Sequence, residues 1–184
     1  MTTALILVDI QNDYFPGGKN ELEGPIEASL RARQLLDHFR QAHLPLVHIQ
    51  HVAIRPGAKT FLPGTSGVEI HANVRPLEGE CVFQKDYPNS FRDTPLLDHL
   101  KHEGVTRVVV CGMMTHMCVD ATTRAAFDFG FECWVASDAC ATKALTFGGQ
   151  TIPAQHVHGS FLAALGASYG KVLSVEQIIE QLPA

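Results

Sequence analysis

The chain has 184 residues, with 46% hydrophobic and 18% charged content, the balance of one globular domain with a sizeable core and not of a disordered chain. Its net charge of -5 supplies no electrostatic pull toward nucleic acid or an anionic membrane, so a small-molecule partner is expected instead. The five cysteines, Cys81, Cys111, Cys118, Cys133 and Cys140, cannot all pair within one chain. No Cys-x-x-Cys occurs, so neither a zinc ribbon nor a redox dithiol is indicated.

Ala4 to Ile10 is a nearly continuous apolar run that meets Asp9 almost at once. It reads as a strand covered on both faces, too short for a membrane span and unlike a signal peptide, and the expected compartment is cytoplasmic. After a turn at Pro16, Gly17 and Gly18, Gly24-Pro25 opens a helix, with Ala28, Ala32, Leu35, Leu36 and Phe39 forming its apolar stripe. Pro45 to His51 is the next strand. The loop after it carries Pro56, Gly57, Pro63, Gly64 and Gly67, and its length marks it as a candidate lid or subunit contact. A short strand, Cys81 to Gln84, leads to Lys85, and a helix follows at Leu96 to His102. Arg107 to Cys111 is a Val-rich strand ending at Gly112. Thr115 is placed to cap a helix that runs to Phe129 and stops at Gly130. Phe131 to Ala136 is a strand, Ile152 to Leu165 a helix and Lys171 to Leu173 the last strand. Ser174 and Gln177 form a capping-box pattern for a final helix, Val175 to Leu182. This alternation, without repeats or a linker, predicts one α/β domain over residues 1–184 with a mainly parallel sheet.

In open parallel sheets ligands bind beyond the carboxyl ends of the strands. Asp9 ends the first strand, Lys85 follows the third, and Gly112 to Cys118 follow the fourth, so three distant segments are predicted to meet at one rim. With Thr115 as cap, Cys118 falls in the first helical turn, where unpaired N–H groups favour a thiolate and would lower its pKa. Asp9 is then positioned to take the thiol proton, Lys85 to supply positive charge, and the first-turn amides to hold an oxyanion. Cys111 and Cys133, inside strands, read as structural.

Four segments carry a resemblance: LILVDIQNDYFPGG (Leu5 to Gly18), FQKDYPNSF (Phe83 to Phe91), VCGMMTHMCVDATTRAAFDFGF (Val110 to Phe131) and SDACAT (Ser137 to Thr142). In that order, over nearly the whole chain, the sequence resembles the isochorismatase-like cysteine hydrolases. The resemblance implies a three-layer α/β/α, Rossmann-like fold with a six-stranded mainly parallel sheet, assembled as a homo-oligomer such as a dimer or tetramer. It implies an Asp-Lys-Cys triad at Asp9, Lys85 and Cys118, and a non-proline cis peptide at Met113-Met114 that aims the amides of Met114 and Cys118 at the oxyanion. By position in the motifs it assigns Gln11, Phe15, Asn89, Phe91 and Thr115 to substrate binding.

The resemblance also bears on the chemistry. Isochorismate-cleaving members hydrolyse a vinyl ether and generally lack the nucleophilic cysteine, so Cys118 points to cleavage of an amide or carbamoyl C–N bond through a thioester. Ether hydrolysis with Cys118 as bystander, and a non-catalytic, thiol-reactive member of the fold, are the alternatives. Nicotinamidases of the family hold a metal through Asp-x-His after the second strand. Here that stretch is HIQHVAIRPG (His48 to Gly57), without the motif, and His48, His51 and His71 have no compelling ligand spacing, so no metal or other cofactor is expected. His116, a runner-up catalytic partner for Cys118, reads as a pocket-rim or interface residue. His156 and His158 read as surface or packing residues on a helix, and Arg124 with Asp128 as an i,i+4 ion pair.

Overall fold

The structure, a computed structural model, describes residues 2–183. The apolar runs form β1 (Thr2–Val8), β2 (Leu46–His51), β3 (Cys81–Lys85), β4 (Val105–Met113), β5 (Glu132–Ala141) and β8 (Lys171–Leu173). They make a six-stranded sheet in the order β3-β2-β1-β4-β5-β8, and every adjacent pair is parallel. Parallel strands need crossovers, and helices supply them on both faces. On one face α1 (Pro25–Gln41) and α5 (Val175–Ile179) pack Leu35, Leu36, Phe39 and Ile178 against Leu5 and Leu7 of β1. On the other, α2 (Leu96–His102), α3 (Asp120–Asp128) and α4 (Ala154–Ser168) pack Leu96, Leu100, Ala126 and Leu165 against Ala4, Ile6 and Val8. Successive β1 side chains feed opposite cores, which is why its apolar run is unbroken.

Local signals act as the residue chemistry dictates at several ends. Pro25 stands in the first turn of α1 after Gly24, whose φ of 68° suits a residue without Cβ. Ser174 and Gln177 form the reciprocal capping box of α5. Other boundaries differ from the sequence reading. The helix read from Ile152 begins at Ala154, because Ile152 belongs to a hairpin of β6 (Leu145–Phe147) and β7 (Gln150–Ile152). The turn is Gly148-Gly149, both at positive φ, the conformation that a two-residue hairpin requires. β5 runs on to Ala141, five residues past the expected Ala136, and α5 ends at Ile179 and not Leu182. Arg124 pairs with Asp120, one turn toward the helix start, at 2.9 Å, and not with Asp128.

The strand order reverses at β1: the chain builds β2 and β3 on one side, then crosses to β4 on the other. That junction opens a crevice beyond the carboxyl ends of β1 and β4, where ligands bind in open α/β sheets. Gly112 in β4 makes the junction possible. Its φ is 127°, it pairs with Val8, and a Cβ there would lie 2.0 Å from the Val8 carbonyl oxygen. Gly112→Ala is therefore expected to lose roughly 2–4 kcal/mol of unfolding free energy, combining left-handed strain with a backbone clash. Urea unfolding measures it, and a loss below about 0.5 kcal/mol would show that β1 and β4 can move apart freely.

Candidate active site

Asp9 follows β1 with a φ of 50°, unusual for a residue with a Cβ and worth on the order of 1–3 kcal/mol in strain. Its N–H donates to the Ile49 carbonyl at 3.0 Å, which ties the turn to β2. Lys85 ends β3, two strands away. Its Nζ donates to Asp9 Oδ2 at 2.6 Å and to the Tyr87 carbonyl at 3.0 Å, and both side chains of the ion pair are fully buried. Burying two charges is tolerable only when each has its partner and hydrogen bonds. Lys85 meets that condition. Asp9 meets it at one oxygen, while Oδ1 is buried with no hydrogen-bond partner among the described residues and keeps a lone pair able to accept a proton.

Cys118 arrives from β4. The Met113–Met114 peptide is cis, and Thr115–Val119 then form a π-helical turn that runs into α3. Thr115 does not cap this turn with its side chain. Its hydroxyl instead donates to the Ala141 carbonyl at 3.3 Å and meets His158 Nδ1 at 2.9 Å, bracing the turn against β5 and α4. The π-helical turn replaces the ordinary first turn that the capping pattern implied; such turns are frequent at functional sites.

The electrostatics correct the expectation of an acidified thiol. Burial pushes the Cys118 thiol above its ordinary pKa, and the Asp9 carboxylate adds to the rise; Lys85 pulls the other way and does not win. Burial pulls the Lys85 ammonium down, but the Asp9 carboxylate carries it above its usual range. The resting site is thus an Asp9–Lys85 ion pair beside a neutral thiol. Burial likewise raises Cys111, and lifts Cys133 and Cys140 to about 12. Acidity does not single out Cys118. Its setting beside the buried Asp9–Lys85 pair does, since both charges act on it.

Cys118 opens on a cavity of about 330 Å³, walled by Met114, Met117, Tyr14, Phe61, Pro88 and Leu145, with Asn20, His51, Thr60, His116 and Lys143 as its polar lining. The long loop after β2 contributes Thr60 and Phe61, and it is stitched in place. The buried Asp13 carboxylate accepts from the Phe61 N–H at 2.5 Å, and the Ile10 carbonyl accepts from the His71 N–H at 2.8 Å. Gln11 donates to the carbonyls of His51 and Val68 and accepts from the His51 N–H at 2.7 Å, standing in for a missing strand.

None of the five residues assigned to substrate binding lines this cavity. Gln11 is the tie just described, Phe15 stacks on His71 with ring centroids 3.6 Å apart, and Thr115 braces the π-helical turn. Asn89 accepts from the Phe91 N–H at 2.9 Å in a turn, and Phe91 packs on Phe129 and Phe131. His116 does line the cavity, held by Thr142 Oγ1 at 2.5 Å from its Nδ1. Lys143 and Asn20 escaped the sequence reading. Lys143 was within reach of the strand-end rule, since it directly follows SDACAT where β5 runs out. His48, His51 and His71 do not converge: His48 bonds Glu80 at 3.1 Å, His51 faces the cavity and His71 packs on Phe15. Among the described residues, no group of three or more His, Cys, Asp or Glu is placed to hold a metal, and no helix is long and apolar enough to cross a membrane.

The profile of the Isochorismatase domain matches residues 3–176. The chain is 50% identical over 180 residues to the uncharacterized isochorismatase family protein YddQ of Bacillus subtilis, covering 98% of this chain and 100% of that one. A streptothricin hydrolase of Streptomyces noursei is 39% identical over 140 residues, covering 76% of this chain and 54% of its own. An isochorismatase-family hydrolase of Oleispira antarctica, solved by crystallography, superposes with a TM-score of 0.93 at 48% identity, over 97% of this chain and 96% of that one. The chain belongs to the isochorismatase family of hydrolases.

Because the resting thiol is held protonated, iodoacetamide modification of Cys118 should be slow near pH 7 and climb through about pH 9, past the free-thiol pKa of about 8.5, without levelling off. Peptide mass analysis across pH measures it, with the other cysteines as internal controls. A plateau already reached below about pH 7.5 would mean a resting thiolate.

Proposed function

We propose that this chain is a cysteine hydrolase that cleaves the C–N bond of a small amide or carbamoyl compound, with Cys118 as nucleophile, Asp9 as proton carrier and Lys85 as fixed counter-charge. One observation carries the reading: the fully buried Lys85–Asp9 contact of 2.6 Å, with the second Asp9 oxygen unpartnered, against a cysteine that opens on a cavity.

The steps follow from the charges. Substrate fills the cavity and displaces water from the thiol. The Cys118 proton passes to Asp9, sulfur bonds the carbonyl carbon, and the carbonyl oxygen becomes an oxyanion near the amides of Met114 and Cys118. Asp9 returns the proton to the nitrogen, the C–N bond breaks, and ammonia or an amine leaves a thioester on Cys118. Water then gives a proton to Asp9 and its oxygen to the acyl carbon, the C–S bond breaks, and Asp9 reprotonates the sulfur. Through the cycle Lys85 stays charged, so that Asp9 is not stranded as a lone buried anion. A raised resting thiol pKa fits this order, in which proton transfer accompanies attack.

Cys118 also separates this reading from ether hydrolysis, for which the thiol has no assigned task. A homo-oligomer belongs to the same proposal, supported by exposed Ile54 at 72% and Phe147 at 82%, both on segments flanking the cavity.

Release of ammonia or amine from a panel of small amides and carbamoyl compounds tests the assignment. Cys118→Ala should leave a folded protein without turnover, and Asp9→Asn should lower kcat by about 10²–10⁴-fold, the range of a positioned general acid–base. Turnover by Cys118→Ala at a rate near wild type would remove the covalent mechanism.

A further inference from the structure

The cavity has one feature that C–N cleavage as such does not require. Five titratable side chains line it: Tyr14, His51, His116, Cys118 and Lys143. Burial raises Tyr14 and Cys118 and lowers His51 and His116, so all four are neutral near pH 7. Behind Cys118, Asp9 and Lys85 cancel each other. The Lys143 ammonium is left as the one uncompensated charge on the wall.

Its setting is that of a binding group and not of a solvated surface lysine. Lys143 is half-buried just past the end of β5, and its Nζ donates to the neutral Asn20 Oδ1 at 2.5 Å. Among the described residues it forms no salt bridge. Asn20 can fix the ammonium's direction but cannot neutralise it, and among the described residues the other two ammonium donors have no partner. His51 also lines the cavity, and among the described residues its buried Nδ1 has no hydrogen-bond partner.

We infer that the compound cleaved at Cys118 is anionic, a small amide or carbamoyl compound bearing a carboxylate that Lys143 holds while the scissile carbonyl lies at Cys118. The inference rests on the C–N hydrolase reading for the word amide, but the anion subsite stands on the cavity itself. Lys143 is thus a specificity residue, and it should act on KM more than on kcat.

Cys118 alkylation reports the subsite without any substrate. Iodoacetate and iodoacetamide both form an S–C bond with loss of iodide and differ chiefly in charge. Near pH 9, the rate ratio of iodoacetate to iodoacetamide at Cys118 should fall by roughly 10–100-fold in Lys143→Met, the worth of one charge-assisted hydrogen bond. Lys143→Arg should keep most of the ratio. Asn20→Asp, which neutralises the ammonium without removing it, should lower the ratio even if Lys143→Met fails to fold. In parallel, succinamate should be hydrolysed with a lower KM than butyramide by the wild type, and Lys143→Met should erase the difference.

An alkylation ratio that is the same in wild type, Lys143→Met and Asn20→Asp overturns the inference, and amide hydrolysis continuing in that case leaves the C–N reading intact. A charge-dependent ratio without release of ammonia from any amide confirms the anion subsite and counts against the C–N reading instead.

Discussion

A carboxylate and an ammonium from the carboxyl ends of two strands separated by β2 meet inside the protein at 2.6 Å, and the surrounding structure is arranged around that contact. Neither charge could be buried alone, because the desolvation cost of one ion is several kcal/mol even after relaxation. The strand order places β1 and β3 on either side of β2, so Lys85 must reach across β2 while Asp9 turns back toward it in a left-handed conformation. The strain at Asp9 is held by its bond to β2 and by the ion pair itself. With the pair in place, the neighbouring thiol stays neutral, and Asp9 keeps one oxygen without a partner.

That arrangement changes what kind of thiol the site contains. A helix-start cysteine with a nearby lysine looks, by composition, like a stored thiolate. Here burial and the adjacent carboxylate outweigh the lysine, whose charge is already committed to Asp9. In the proposed mechanism reactivity comes from Asp9 acting as base and not from a depressed thiol pKa. In the proposed reaction, substrate that excludes the remaining water would sharpen the same electrostatics.

Much of this was legible in the sequence because strand interiors and strand ends obey simple rules. The run at β1 had to be buried on both faces, and chemistry-bearing residues just past three strands had to share a rim. Other features depend on contacts that no local pattern encodes. Thr115 has the composition of a cap, yet its hydroxyl finds Ala141 and His158, which lie far off in sequence. Gln11, Phe15, Asn89 and Phe91 belong to recognisable motifs, but their side chains do not line the cavity and make contacts within the fold around it. Its walls come instead from the loop after β2, from the stretch around Asn20 and from the end of β5, and Lys143 reaches it only because β5 continues five residues beyond its apolar run. The small hairpin was readable in principle from Gly148-Gly149, but its two strands are too short and too exposed to show an apolar alternation.

The most direct test of the account is the mass of the intact protein, acid-quenched within milliseconds of mixing with an amide that it turns over. The account predicts a transient gain equal to the acyl group, located on the Cys118 peptide, labile to hydroxylamine and absent from Asp9→Asn. Steady turnover without any adduct on Cys118, at a quench time shorter than one catalytic cycle, would contradict a covalent thioester and leave the buried Asp9–Lys85 pair acting directly on water.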